Sequence, residues 1–480
     1  MVFVFFVFCF WGSHAFAQPV VTGTIANVTR VESWSYFQPR VDPLALTPEP
    51  IGNPDYTFVA DRAELGVRVD GRRFDLSGAF NYVRLENLPT DAIGPGGFGS
   101  GAFYFAATGV SYSYQLYLGE LTLRLKSADS RTSLTIGRMP FTAVRLRSPV
   151  QDPPSYGGSI SRLTSDRVEG RLIGNFEWSL YQRRFDGARV DAVRGRWHFT
   201  AGAFMPTQGG YEESTNLTIT KIQVGAASAA YATGGAESQA FLYAYRDRRR
   251  SPMAVVDNRL IDDLRPDVTI ASIGGSHARV VATGAGELDA VAWGAGQLGD
   301  WYGTPHRAAS FAVEAGHRWT RARWRPWLRA GYLWASGDGS WDDDRHNTFF
   351  QMLPSSRKYA LSSAYAQMNL RDAFAHAVIE PRGFNARVEV HKLTLASGAD
   401  LWYQGSGATS SADRYFGFAG RYAQGETSLG TVLEGTIDVP LKKYWSVNAY
   451  GGTMWGGGVV KRYFTDKRLT FWSLENVIRF

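Results

Sequence analysis

Apolar and polar residues alternate with a period of two along most of this chain, and this pattern constrains its fold more than any other feature. The alternation is clear in residues 65–69, 74–82, 117–126, 328–334 and 384–391. Successive side chains of a β-strand point to opposite faces, whereas a helix would repeat every 3.6 residues. No long segment has the helical period. The sequence therefore predicts an all-β protein.

Two all-β architectures produce such strands: a soluble sandwich with an apolar core, and a transmembrane barrel with an apolar outer face. The apolar faces carry aromatic residues near strand ends, and the strands are about ten residues long, as a tilted membrane strand requires. Short turns at 70–71, 381–383 and 440–443 alternate with long polar loops, which include 87–101, 338–358 and 456–467. This asymmetry is typical of periplasmic turns and extracellular loops, and it favours the barrel.

The C-terminal segment Leu469 to Phe480 also alternates, with Trp472, Leu474 and Phe480 on one face. A terminal phenylalanine that closes such a strand resembles the signal by which the outer-membrane assembly machinery recognises barrels. We therefore expect that machinery, in a Gram-negative bacterium, to recognise Phe480.

The N-terminal segment predicts a secretory signal peptide spanning residues 1–17. An apolar run occupies residues 1–11, and Ala15-Phe16-Ala17 provides a small-x-small cleavage site. A buried apolar strand or a membrane anchor is the alternative. The one cysteine, Cys9, lies in the segment predicted to be removed, so residues 18–480 would lack thiols, as suits an oxidising compartment.

The length predicts the size of the barrel. Removing 17 residues from 480 leaves 463, and at roughly 25 residues per strand with its share of loop this gives about 18 strands, within a range of 16–18. A barrel of that size encloses an aqueous channel. We expect residues 18–480 to form one transmembrane antiparallel β-barrel domain with long extracellular loops and short periplasmic turns.

Several motifs carry a family resemblance. They are Gly137 to Phe141, Ser336-Gly337-Asp338, Phe349 to Pro354, Lys358-Tyr359, and Asn369 to Asp372. In these motifs, and over roughly residues 330 to 480, the chain resembles the alginate export family of outer-membrane β-barrels. The resemblance implies an 18-stranded monomeric pore that passes an anionic polysaccharide outward.

Charged residues on the polar faces of the strands are the candidate substrate contacts in the lumen. By parity they are Arg62, Arg68, Arg124, Lys126, Arg318, Arg329 and Arg387, with Glu64, Glu120, Glu314 and Glu389 beside them. Arginine can clasp a carboxylate with two parallel hydrogen bonds, so a lumen lined in this way would concentrate anions. The alternative is a set of ion pairs that braces the barrel wall. Arg138 shares parity with Ile136 and is expected at a membrane interface.

Other motifs give weaker signals. Acidic residues in one long loop offer oxygen ligands of the kind that Ca²⁺ prefers, without EF-hand spacing: Asp338, Asp342, Asp343 and Asp344. Residues 294–299 match G-x-G-x-x-G, but the following Pro305 disfavours a nucleotide-binding helix, and we expect a glycine-rich turn. Ser276 and His277 are adjacent on a strand and would point to opposite faces, which argues against a catalytic pair. No cofactor is predicted.

The net charge of +7 suggests attraction to anions. The basic run at 246–250 is expected to attract lipopolysaccharide phosphates or the substrate, and no nucleic-acid partner is expected for an exported barrel. The sequence thus predicts a non-enzymatic outer-membrane channel for a uronic-acid polysaccharide resembling alginate. The alternatives are a porin that takes up small acidic solutes, a plugged structural or adhesin barrel, and an outer-membrane enzyme.

Overall fold

The computed structural model describes residues 19–40, 52–92, 100–141, 157–209, 216–250, 257–259, 261, 267–355, 364–410 and 417–480. The predicted signal peptide lies outside these residues, as do Lys358 and Tyr359. No helix in the described ranges is long and apolar enough to cross a bilayer.

The alternating segments form an 18-stranded antiparallel sheet that closes on itself, because the first strand pairs with both the second and the last. This confirms the predicted fold class and strand number. The wall strands are β1 (Val20–Ser35), β2 (Asp55–Asp70), β3 (Phe74–Glu86), β4 (Ser113–Lys126), β5 (Thr132–Met139), β6 (Phe185–Arg194), β7 (Trp197–Pro206), β8 (Ile222–Thr233), β9 (Ala236–Asp247), β10 (Val268–Ala282), β11 (Glu287–Trp301), β12 (Thr304–Arg318), β13 (Trp327–Ala335), β14 (Leu370–Ile379), β15 (Asn385–Leu395), β18 (Ser428–Lys442), β19 (Trp445–Gly456) and β20 (Arg468–Arg479).

Five further elements lie in connections between wall strands. They are the helices α1 (Ser100–Thr108), α2 (Gly157–Arg167) and α3 (Gly458–Tyr463), and the two-stranded hairpin of β16 (Leu401–Gly405) and β17 (Phe418–Tyr422). The side chains of β16 are all buried. The hairpin therefore lies against other parts of the protein and adds no strand to the wall.

The connections differ in length at the two edges of the barrel. One edge carries short turns, which include 71–73, 195–196 and 443–444. The other carries long connections, although β11 and β12 are joined there by residues 302–303 alone. The short turns define the periplasmic edge and the long connections the extracellular edge, as expected for an outer-membrane barrel.

The outer face carries the predicted apolar residues. Leu65 and Val67 on β2 are more than half exposed, as is Phe80 on β3. Exposed aromatic residues gather near both edges: Phe74, Trp197, Phe384 and Trp445 at the periplasmic edge, and Tyr82, Tyr114, Tyr332 and Trp472 toward the extracellular edge. Two aromatic bands around an apolar belt are typical of a barrel in a bilayer.

The alternation at 117–126 predicts Tyr117 on the same face as Leu121. A β-bulge on β4 instead places the two residues on opposite faces. Register shifts between Ala79 and Phe80, so that Gly119 has no partner on β3. One extra residue reverses the faces of the strand, so Tyr117 points inward and is buried while Leu121 faces outward. A Cβ at Gly119 would lie 2.3 Å from Asn81 Nδ2, so any larger residue in this bulge would displace the buried Asn81 side chain.

The glycine-rich segment at 294–299 lies within β11, so the prediction of a turn there was wrong. Gly294 and Gly296 take ordinary ladder positions opposite Phe311 and Ala309 of β12. The chain reverses three residues after the end of this segment, at Tyr302 and Gly303, which have positive φ angles of 51° and 87°.

Many aromatic residues lie inside the barrel, in addition to those of the outer bands. Phe241 stacks on Tyr243 at 4.6 Å between ring centroids, and Trp293 lies 6.3 Å from Phe241. Tyr245 meets Phe350 of the β13–β14 connection at 5.3 Å. Aromatic residues on the inner face thus pack against long connections that fold inward, which strand periodicity alone does not anticipate.

Candidate conduit through the barrel

The described part of the connection between β5 and β6, residues 157–184, lies in the barrel interior. Its helix α2 lies close to β10, and its side chains reach β12 and β15 on the inner face of the wall. Arg162 pairs there with Glu380 in the turn after β14, and its guanidinium lies 5.0 Å above the ring of Trp327 on β13. This connection therefore narrows the lumen from within.

A buried carboxylate of the wall anchors the end of α2. Glu314 on β12 accepts hydrogen bonds from Arg167 at 2.9 and 3.1 Å and from Arg171 at 3.4 Å. Arg329 on β13 lies 3.2 Å from the same carboxylate and 3.3 Å from Asp289 on β11. Removing charges from water is costly, and several close partners are needed to offset that cost.

One further ion pair holds the helix, and a second holds the turn residue that Arg162 contacts. Arg387 on β15 contacts Asp166 at 2.8 Å, and Arg318 on β12 contacts Glu380. Burial raises the pKa of Asp166, but the nearby charges of Arg387 and Arg167 outweigh burial and hold this pKa below its ordinary value. Asp166 is therefore ionised at neutral pH.

Beyond α2 the connection crosses to the other side of the barrel. The backbone oxygen of Trp178 accepts a hydrogen bond from Arg30 on β1 at 2.7 Å, and that of Leu180 accepts one from Arg62 on β2 at 3.3 Å. Tyr117 on β4 donates to the backbone oxygen of Tyr181 at 2.6 Å. The segment from α2 to Tyr181 thus spans the interior between two parts of the wall.

A cavity of about 350 Å³ lies beside this segment, against the inner face of strands from β2 to β8. Its charged lining residues are Arg68, Arg124, Arg189, Asp75, Glu120, Glu169 and Glu177. The side chains of Arg68 and Arg124 are 55% and 42% exposed, although each has a carboxylate partner nearby: Asp70 at 2.7 Å for Arg68 and Asp75 at 3.9 Å for Arg124. Arginine charge thus meets solvent inside the barrel here.

The residues predicted to line the lumen fall into two groups. Of those on β2 and β4, Arg68, Arg124 and Glu120 line the cavity. Lys126 binds the cavity residue Asp75 at 2.6 Å, Arg62 binds the backbone of Leu180, and Glu64 is half-buried on β2. Those of β12, β13 and β15 are engaged in ion pairs around α2: Arg318, Arg329, Arg387, Glu314 and Glu389. The second group matches the alternative of ion pairs that brace the structure, with the added finding that they brace an inward connection.

Two of the four acidic loop residues, Asp338 and Asp343, face the same cation, Arg259. Asp338 is buried against Arg259, whereas Asp342 accepts a hydrogen bond from Ser340 and Asp343 accepts one from the backbone N–H of Arg345 at 3.1 Å. Asp344 is exposed.

Asp257, in a described fragment nearby, has its pKa raised by burial to about 6.

The other motifs are placed as follows. His277 faces outward, where its Nδ1 meets Ser238 Oγ at 2.8 Å, and the neighbouring Ser276 lies on the opposite face of β10. In the basic run, Arg249 is buried against Asp247 at 2.6 Å, and Arg246 pairs with Asp267. Part of the charge of the run is therefore balanced within the protein.

Arg138 lies on the outward side of β5, as its parity predicts, but it is tied to a partner and does not extend freely. It holds Asp186 of β6 with two hydrogen bonds of 2.8 Å. It also donates to the backbone oxygen of Leu118 on β4 at 3.1 Å. Arg138 therefore links three strands at a place where β5 is only 8 residues long.

Sequence reasoning missed the cationic residues of the 140–184 connection, together with Arg189 on the wall. Arg162, Arg167 and Arg171 stand outside any alternating strand, so parity did not place them. The spacing of four residues between Arg167 and Arg171, at the end of a helix, is the one local signal that places two of them on a shared face.

Comparisons with known proteins agree with this architecture. No curated protein matches the chain in sequence. In fold it is similar to OpdK of Pseudomonas aeruginosa, solved with vanillate, at a TM-score of 0.56 and 10% identity over 95% of this chain and 98% of that one. It is also similar to OccK2 (OpdF) of the same organism, in complex with glucuronate, at a TM-score of 0.53 and 10% identity over 97% and 99%. OccAB4 of Acinetobacter baumannii matches at a TM-score of 0.54 and 9% identity over 98% and 100%.

The family comparison concerns the sequence itself. The model of the alginate export family matches residues 160–467, which include α2, the buried carboxylate Glu314 and most of the wall. The apolar outer belt, the aromatic bands, the closed barrel and the family match place the protein in a Gram-negative outer membrane, as a channel. The chain belongs to the alginate export family.

Proposed function

We propose that this channel passes an anionic, uronic-acid-containing polysaccharide outward along the inner face of β2–β8. The observation that carries the proposal is the cavity in which Arg68 and Arg124 meet solvent among carboxylates. A polyuronate bears a carboxylate on each sugar, so such a wall offers a row of complementary contacts to a sliding chain.

The mixture of charges suits passage better than tight binding. Arginine pairs with carboxylates in a planar, two-pronged geometry, which selects for acidic sugars. Asp75 and Glu120, beside these arginines, compete for the same guanidinium groups. Conduction requires sites that are numerous and weak, and this competition keeps each contact weak.

The comparisons support an acidic substrate. The family is defined by alginate export, and alginate is a polymer of uronic acids. OccK2, which shares the fold, was solved in complex with glucuronate, itself a uronic acid, and OpdK was solved with vanillate, which carries a carboxylate. These ligands belong to those proteins, and for this chain they support the choice of an acidic probe.

A second candidate, uptake of small acidic solutes, is favoured by the dimensions of the cavity. About 350 Å³ lies at the lower end of the range for small-molecule sites. The ion pairs that hold α2 against the wall also favour a narrow passage. A monosaccharide acid fits such a passage directly, whereas a polymer would need it to be continuous.

Planar-bilayer conductance with uronate oligomers of increasing length distinguishes the two. Polymer passage predicts that longer oligomers block more strongly and that block is relieved by voltage, since the chain threads through. Solute uptake predicts saturation by the monomer with no gain from length. A barrel without conductance would reject both and leave a structural or adhesin role.

Charge reversal tests the site itself. The double variant Arg68→Glu with Arg124→Glu should lower anion selectivity and weaken oligomer block by roughly tenfold, the effect of about 1.4 kcal/mol. Arg131→Glu changes the same charge in an exposed turn outside the cavity and serves as the matched control. Equal reversal potentials in the wild type and the double variant would reject the proposed site.

A further inference from the structure

We propose that His391, Glu389 and Glu434 form a binding site for a divalent transition-metal ion of the Zn²⁺ class in the inner wall of the barrel. The three side chains lie on neighbouring strands, β15 and β18, and are almost completely buried. Within the described residues they are the one group whose ligand atoms all lie within 4.8 Å of one another. Metal binding at this site is independent of which substrate the channel transports.

Strand pairing brings two like charges together at this place. Glu389 and Glu434 are directly opposite partners in the ladder between β15 and β18. Two carboxylates in this relationship repel each other, and burial strengthens the repulsion. Arg387 and Arg167 offset part of this repulsion at Glu389, and a cation between the two carboxylates would offset more of it.

The distances fit a metal of that size. His391 Nε2 lies 3.5 Å from Glu434 Oε1 and 3.7 Å from Glu389 Oε2. Ligands on a tetrahedral ion with bonds of roughly 2.1 Å are separated by about 3.4 Å. The nitrogen therefore stands near the separation from each carboxylate that a shared ion imposes, and all three ligand atoms lie within 4.8 Å of one another.

Each ligand is oriented by a partner on its other atom. His391 Nδ1 lies 2.9 Å from the carboxylate of Asp372 on β14, and Glu434 Oε2 accepts a hydrogen bond from Tyr450 at 3.1 Å. Glu389 Oε1 is held by Arg387 and lies 3.1 Å from His376 Nδ1. A carboxylate behind a histidine is the usual arrangement around metal-binding imidazoles, since it fixes the ring and raises its basicity.

The histidine nitrogen that points into the cluster faces the two glutamate carboxylates. His391 Nε2 is buried and makes no hydrogen bond. A buried polar atom without a partner is costly, and here it faces the carboxylate oxygens. A ligand set of one imidazole and two carboxylates favours Zn²⁺ or a similar ion over Ca²⁺, which prefers oxygen alone.

The experiment measures metal bound by the purified, folded barrel in detergent. Chelator-treated protein is dialysed against buffered Zn²⁺ with excess Mg²⁺, and bound zinc is counted by elemental analysis. We expect one zinc per chain. His391→Ala should lower affinity at least 100-fold, and Asp372→Asn, which removes the supporting carboxylate, by about 10- to 100-fold. His277→Ala, at an outward-facing histidine, should leave the bound zinc and its affinity unchanged.

Folding is controlled by the shift in gel mobility on heating that marks an intact barrel. If His391→Ala does not fold, Glu434→Gln and X-ray absorption of the zinc-loaded wild type take its place, with one nitrogen and at least two oxygens expected at 2.0–2.2 Å. Zinc well below one per chain would overturn the proposal, and would indicate that a protonated His391 bridges the carboxylates instead. Full affinity in folded His391→Ala would also overturn it.

Discussion

Arg387 on β15 and Asp166 at the end of α2 are joined by one guanidinium nitrogen, Nη1, which donates to both carboxylate oxygens at 2.9 and 2.8 Å. The pair connects two parts of the chain 221 residues apart. It fixes a helix of the inward connection to the barrel wall, so the width of the lumen depends on an interaction that a single substitution can break.

Asp166→Asn should loosen α2 and make the channel noisier and more conductive. The pair is partly exposed, so the cost to stability is small, about 1 kcal/mol or less. Single-channel recording is the measurement, with Asp129→Asn in an exposed turn as the control. Exchanging the two residues, Asp166→Arg with Arg387→Asp, should lower the current noise part of the way back to the wild-type level. Unchanged current noise in Asp166→Asn would show that the pair does not hold the lumen narrow.

Glu314→Gln should destabilise the barrel strongly. The carboxylate is fully buried and faces Arg167, Arg171 and Arg329, so its loss leaves buried positive charges without compensation. Breaking a buried pair from one side typically costs about 3–5 kcal/mol. Thermal unfolding, followed by the heat-dependent gel shift, should show a clear drop in midpoint. Glu86→Gln removes an exposed partner of Arg84 and should leave the midpoint nearly unchanged.

Arg138 and Asp186 offer a test of how the short part of the wall is closed. Arg138→Leu leaves the carboxylate of Asp186 on the outer face without its two hydrogen bonds, and we expect a loss of about 3 kcal/mol. The double variant Arg138→Leu with Asp186→Leu removes both charges and should be more stable than the single variant. The measurement is the thermal unfolding midpoint of the wild type, the single variant and the double variant. A double variant less stable than the single one would mean that the pair contributes net stability.

The period-two pattern was sufficient to predict the wall because each strand carries its own signal. Leu65 and Val67 face outward since the lipid-facing side must be apolar, and this holds for every strand independently. The pattern failed at Tyr117, where one extra residue at Gly119 reverses the faces. A bulge leaves no trace in hydrophobic alternation beyond a glycine, and glycines are common in this chain.

The interior could not be predicted in the same way, because its partners lie far apart in sequence. Arg167 and Glu314 are 147 residues apart, and parity placed Glu314 on the inner face without showing what it meets there. Parity therefore placed Glu314 on the inner face, while the division of the polar residues between cavity and ion pairs depends on how the connection after β5 folds inward.

The end of the chain provides the last prediction, which concerns assembly. The backbone of Phe480 pairs with Ile25 on β1, at 2.8 and 3.2 Å, and its ring stacks on Tyr444 at 4.9 Å between centroids. The side chain is 67% exposed at the periplasmic edge, so folding buries little of it. Such exposure is what recognition by another protein requires.

Phe480→Ala should therefore lower the amount of assembled barrel in cells several-fold. The same variant refolded in detergent should lose less than about 1 kcal/mol, since its backbone hydrogen bonds remain and little apolar area is buried. The measurement compares the heat-shifted fraction in membranes with that of refolded protein. Phe74→Ala removes another exposed aromatic side chain at the same edge and is the matched control. Equal losses in cells and in detergent would assign Phe480 to barrel closure alone, because a purely structural role acts in both settings.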